Sequence, residues 1–78
     1  MKKRMYLGET DATTQGQVSE LQYYLKSRGY FNAPITGYFG PITEEAVKQF
    51  QRDNNLIVTG IAGQITRAKM SALGCIAK

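Results

Sequence analysis

Thr36-Gly37-Tyr38-Phe39-Gly40-Pro41-Ile42-Thr43 and, 23 residues further on, Thr59-Gly60-Ile61-Ala62-Gly63-Gln64-Ile65-Thr66 agree at five of eight positions. Both read Thr-Gly-x-x-Gly-x-Ile-Thr, and each leads into a run with helical periodicity. The first glycine admits a positive-φ turn, the second lets the backbone pack closely, and the closing threonine caps or bonds the loop. The pair predicts two similar loop-helix units.

Upstream of the first copy, Val18, Leu21 and Leu25 recur at helical spacing with Tyr24 beside them, and Thr13 or Thr14 supplies the cap. Gly29 suits the left-handed position after the last turn, which predicts a helix over 14–28. Tyr30 and Phe31 then fold back onto the core. Within the second helix, 42–54, Ala46, Val47 and Phe50 form the buried stripe. Glu44, Glu45, Lys48, Gln49 and Arg52 face water, and Asn54-Asn55 ends the helix. Pro41 belongs in its first turn, or Thr43 caps it. The third helix, 64–73, offers Ile65, Ala68, Met70, Ala72 and Leu73 for burial, and Gly74 stops it. The expected fold is all-α, a three-helix bundle spanning 13–74, with a loosely packed arm at 1–12 and a tail at 75–78.

Seventy-eight residues allow one domain, and 42% hydrophobic with 21% charged residues is ordinary globular usage. With no histidine and one cysteine, Ser-His-Asp and Cys-His catalysis, the usual zinc sites and any internal disulfide are excluded. No metal and no cofactor are expected. Glu44 and Glu45 point about 100° apart on their helix and cannot flank one bond, so no catalytic residue is assigned and the chain is read as not an enzyme. The net charge of +4 comes from Lys2, Lys3, Arg4 and Lys78, whereas six bases balance six acids over residues 5–77. A specific nucleic-acid face is therefore not expected. No stretch approaches the ~20 apolar residues of a membrane helix, and no apolar core follows the basic start as in a signal peptide.

Val18-x-x-Leu21-Gln22-x-x-Leu25, Gly29-Tyr30 and Gly37-x-Phe39-Gly40-x-x-Thr43 resemble the first half of the peptidoglycan-binding domain type 1 pattern. Ala46-Val47-x-x-Phe50-Gln51, Leu56 and Gly60-x-x-Gly63-x-x-Thr66 resemble its second half. The resemblance covers about residues 14–73, in order. It implies a non-catalytic module that anchors a cargo or assembly on the bacterial wall, with peptidoglycan glycan or stem peptide as ligand and a cell-wall hydrolase or other protein as partner. It places the chain in the cell envelope if a parent protein or exporter delivers it. The missing signal leaves a cytoplasmic or fragment origin open. The departure is Thr36-Gly37 and Thr59-Gly60 where the family often has Asp-Gly. The alternative reading is a protein-interaction or structural subunit that keeps the fold without wall binding.

On this reading Gln22 and Gln51 satisfy the backbone of the glycine loops, and Phe39 and Phe50 are core. The candidate ligand residues are Tyr23, Arg28, Tyr30, Asn32 and Tyr38, expected to converge near the end of the first helix and the first loop. Tyrosine faces suit sugar rings and Arg28 suits a stem-peptide carboxylate. Gln49 and Arg52 are weaker candidates.

Overall fold

The computed structural model describes residues 4–14 and 16–73. A single turn, α1 (Asp11–Thr14), precedes three principal helices, α2 (Gln17–Ser27), α3 (Pro41–Asp53) and α4 (Gln64–Ala72). Two isolated antiparallel bridges, Met5 with Ala62 and Thr10 with Tyr38, are the β-pairing among the described residues. The expected all-α three-helix architecture is the one observed.

The first helix starts later than its periodicity suggests, because Gly16 adopts φ 85° and separates α1 from α2. Its cap comes from α1. Thr14 Oγ1 accepts from the Val18 N–H at 3.3 Å and Asp11 Oδ1 from the Ser19 N–H at 2.9 Å, so two of the orphan donors of the first turn are satisfied from outside. Of the two starts weighed for the second helix, Pro41 occupies the first turn, and Thr43 turns inward instead.

Both long helices end alike. The Tyr30 N–H donates to Leu25 O behind Gly29 at φ 86°, and the Leu56 N–H donates to Gln51 O behind Asn55 at φ 59°. This is the left-handed closure that follows a last turn.

Val18, Leu21, Tyr24 and Leu25 meet Ala46, Val47 and Phe50 in the core, joined by Phe31, Phe39 and Met70. Phe50 receives two edge-to-face contacts, from Tyr24 at 6.0 Å and Tyr30 at 5.8 Å between centroids. Such pairs add specificity beyond their buried area.

Two expectations are corrected. In α4 only Thr66 and Met70 are buried, whereas Ile65, Ala68, Ala72 and Leu73 are exposed. One helix face meets the core, and Thr66 and Met70, four apart, occupy it, so the other apolar residues point elsewhere. Within the segment expected to pack loosely, residues 5–11 are tied down instead, with Met5 fully buried over Ala62 and two mutual backbone bonds of 3.2 and 2.8 Å. The side chain of Thr13, the stop at Gly74, the tail with Cys75, and the charges of Lys2, Lys3 and Lys78 lie outside the described residues.

Candidate functional site

Each repeat loop is built around one buried glutamine. Gln22 Oε1 accepts from the Thr36 and Gly37 N–H groups at 3.1 and 3.0 Å. Its Nε2 donates to Tyr38 O at 2.9 Å, Thr43 Oγ1 at 3.0 Å and Thr36 Oγ1 at 3.5 Å. Gln51 repeats the set, accepting from Thr59 and Gly60 at 3.0 Å each and donating to Ile61 O, Thr66 Oγ1 and Thr59 Oγ1. Only a neutral amide offers this acceptor and paired donors in one flat group.

Gly37 and Gly60 both take φ 78°, which a residue with a Cβ rarely adopts. Thr36 and Thr59 close the turns with side-chain oxygens that accept from the N–H two residues on, at 3.2 and 3.1 Å. A threonine hydroxyl thus makes the turn bond in each loop.

The N-terminal segment stitches the two loops into one wall. Phe39 N–H donates to Glu9 O, Gly8 N–H to Phe39 O and Asp11 N–H to Gly37 O, while Met5 pairs with Ala62. The loops, being braced on both sides, form firm rims for the hollows beside them.

Two adjoining hollows flank the first loop, about 230 Å³ between Phe31, Pro34 and Tyr38 and about 490 Å³ between Tyr30, Asn32 and Gln49. They share Ala33, Pro41 and Ile42, so they adjoin along one open groove, with the exposed Ile42 where the two hollows meet. A third hollow, about 590 Å³, lies beside the second loop, with Ile57, Ile61 and Ile65 among its walls.

This groove gathers three of the five candidate ligand residues, Tyr38 at one end and Tyr30 with Asn32 at the other, and brings in Gln49. Arg28 and Tyr23 do not join them. The Arg28 guanidinium lies 5.1 Å from the Tyr24 ring centroid and donates to Leu73 O at 2.6 Å, tying the end of α2 to the end of α4. Tyr23 is exposed on α2, outside the groove. Arg52 pairs with Glu45 at 3.1 Å in an exposed ion pair of small energetic weight. The expected convergence therefore holds for the loop residues and not for Tyr23, which α2 carries outside the groove, or Arg28, which is held against Tyr24 and Leu73 O at the cap of α2.

Sequence reasoning passed over Ile42 and assigned Ile65 to the core. Each is the seventh residue of its repeat and each is largely exposed, 62% and 69%. An apolar residue that recurs in both copies while lying outside the helix stripe is a surface signal, and it was readable from the repeat.

Electrostatically the groove is mild. The Tyr30 hydroxyl donates to Asp53 Oδ2 at 2.9 Å; burial, then this bond and the Asp53 charge, hold its pKa above the ordinary phenol value of 10.0. Among the described residues no cluster of three metal-ligating side chains occurs, and no helix is long and apolar enough to cross a membrane.

Three short helices carrying braced loops and open, shallow grooves define a small recognition module. The family model for the peptidoglycan binding domain matches residues 14–70, and the chain belongs to that family. The N-acetylmuramoyl-L-alanine amidase CwlL of Bacillus licheniformis is 43% identical over 51 residues, 65% of this chain and 14% of the amidase. A spore cortex-lytic enzyme of Oceanobacillus iheyensis is 35% identical over 80 residues, 85% of this chain and 29% of that enzyme. Among solved structures, the SleB N-terminal domain superposes with a TM-score of 0.82 at 29% identity, covering 94% of each chain. The chain thus spans less than a third of the length of each of these two enzymes.

Proposed function

We propose that this chain is a non-catalytic anchor that holds a cargo on the bacterial wall by laying the groove beside its first loop against the glycan of peptidoglycan. The observation that carries the reading is Ile42, exposed where two adjoining hollows meet, with Tyr38 on one side and Tyr30, Asn32 and Gln49 on the other. Tyrosine and isoleucine surfaces suit the apolar faces of sugar rings, and the two side-chain amides suit hydroxyl and acetamido groups. Family membership supports the wall as target, and the two similar enzymes support a wall hydrolase as cargo and the cell envelope as location.

A binding role without chemistry is supported by how the acids are used. Asp11 caps α2, Glu45 pairs with Arg52, and Asp53 accepts from Tyr30. An open groove gives modest affinity because orientation costs are offset by little deep burial, and attachment to a larger protein raises it through effective concentration.

Co-sedimentation with purified peptidoglycan sacculi, at low and moderate salt, tests the reading. Saturable, salt-resistant retention is expected, weakened about tenfold or more by Ile42→Asp or by Tyr38→Ala. Both side chains are exposed, so the fold should survive, and circular dichroism checks that. Failure of the folded chain to sediment at tens of micromolar overturns wall binding and favours a protein-interaction role.

A further inference from the structure

The hollow beside the second loop is built on the same frame as the first-loop groove, yet its chemistry differs. Three branched aliphatic side chains, Ile57, Ile61 and Ile65, line it and are 81%, 36% and 69% exposed. Asn55 and Gln64 add amide groups, and among the described residues Arg4 is its one charged lining residue. No tyrosine lines it, so stacking on sugar rings is not what its walls offer. An apolar, methyl-rich surface with one guanidinium suits a ligand with a small aliphatic body and a carboxylate end. In peptidoglycan that description fits the stem peptide, which carries free carboxylates beside its alanine methyls. The glycan's acetamido and lactyl methyls have no free carboxylate beside them once the peptide is attached.

We infer that this hollow, framed by Gln51, is a second binding site that takes the carboxylate-bearing end of a wall stem peptide, with Arg4 pairing the carboxylate and Ile57, Ile61 and Ile65 receiving the side-chain methyls. The inference rests on the wall-binding reading for its choice of ligand but not on the first-loop groove for its geometry. The module then grips the wall by two chemically different parts. Two weak contacts on one rigid body reinforce each other only when the wall offers both parts at the matching spacing.

The test is a titration followed by amide chemical shifts of the whole chain. The probe is the synthetic tetrapeptide L-Ala-γ-D-Glu-L-Lys-D-Ala, with its C-terminal amide as the control. Saturable shifts at Thr59, Ile61 and Ile65 are expected, with little change at Tyr38 and Ile42. The amide probe and the Arg4→Gln variant should each bind about tenfold more weakly, the loss of one charge-assisted pair. Ile65→Asp should abolish the shifts, and because that side chain is already exposed the fold should persist.

Shifts confined to Tyr30–Ile42, or no saturable shift at tens of millimolar, overturn the second site whatever the sacculi show. Binding at the second loop that is indifferent to both Arg4→Gln and the amide probe overturns the carboxylate assignment. Ile42→Asp separates the two readings. Peptide shifts that survive it while sacculus retention falls support both sites, and a folded chain that binds the peptide but no sacculi supports the second site alone.

Discussion

The two loops share a frame and differ in what surrounds it. From Gln22 to Thr36 the chain needs 14 residues, whereas from Gln51 to Thr59 it needs 8. Half of that difference is one extra turn of helix after the glutamine, since Gly29 follows Gln22 by seven residues and Asn55 follows Gln51 by four. The other half is loop. The longer connection lays Phe31, Ala33 and Pro34 along the first loop, where the space beside it is divided into hollows of about 230 and 490 Å³, while the shorter one leaves a hollow of about 590 Å³. Inside, Phe39 and Ala62 occupy the same repeat position and are equally buried, Phe39 filling its own space and Ala62 being covered by Met5. The frame therefore fixes the loop's path, and its flanks decide what the hollow can hold.

The largest effect should come from breaking the frames themselves. Gln22→Leu or Gln51→Leu leaves two loop N–H groups without their acceptor and removes three donated bonds. Each variant should lose about 3 kcal/mol in urea unfolding. The consequences should differ by loop. The first remains held by the backbone bonds of Gly8, Glu9 and Asp11, so its amides should stay partly protected from hydrogen exchange. Among the described residues the second is held by the Met5 pairing and by Arg67 Nε, which donates to Ala62 O and Gly63 O. These bonds leave Thr59–Ile61 to the glutamine, so Gln51→Leu should open those amides. Equal, small losses in both would show that the glutamines do not carry the loops.

Met5→Ala comes next, at about 2 kcal/mol, because a buried side chain is removed but a segment near the chain end relaxes into the gap. Its exchange signature should appear at Ala62 and spare Phe39. A loss spread over both loops would mean that residues 5–10 act as a single clamp and not as two separate ties.

Much of this fold was legible in the residues because helix periodicity and glycine placement are local signals. Val18, Leu21 and Leu25 and then Ala46, Val47 and Phe50 needed only a 3.6-residue period, and the glutamine-to-loop contacts were read from the corresponding places of Gln22 and Gln51 after core residues of their helices. What escaped was decided by tertiary contact. Hydrophobicity alone nominated Ile65, Ala68, Ala72 and Leu73 for burial, but the face of α4 that meets the core is set by Thr66 and Met70. Met5 looked like part of a charged arm, and only its pairing with Ala62 makes it core. For the site, the loop residues Tyr30, Asn32 and Tyr38 were placed together by nearness in sequence. The position of Arg28 depended on where α4 ends, which no spacing in its own helix reports.

The second glycine of each repeat sharpens the comparison with a smaller effect. A Cβ at Gly40 would stand 2.9 Å from Tyr38 Cε2, whereas at Gly63 nothing lies within 4 Å. Gly63→Ala should therefore be neutral or slightly stabilising, since it restricts the unfolded chain without a clash. Gly40→Ala should cost about 1 kcal/mol and push the Tyr38 ring aside, read as a lowered melting temperature. Matching losses at both would restore the reading in which the two glycines do the same work.

The smallest expected effect separates the two helix ends. Tyr30 and Leu56 hold equivalent positions, each closing its helix by an N–H bond of 2.8 Å, yet only Tyr30 can ionise. Burial, together with the bond to Asp53, raises its pKa above 10.0, so the folded chain holds that proton more tightly than the unfolded chain. Below pH 10 both states are protonated and the Tyr30–Asp53 contribution is fully present. As the pH climbs past 10 the unfolded state ionises first and stability falls, until the folded phenol has also lost its proton. Urea midpoints measured from pH 9 to pH 11 should show this decline. Tyr30→Phe should be less stable at pH 9 and should lose the part of the decline that belongs to this phenol. An unchanged slope in Tyr30→Phe would assign the alkaline loss elsewhere and would make the two helix ends equivalent in chemistry as well as in geometry.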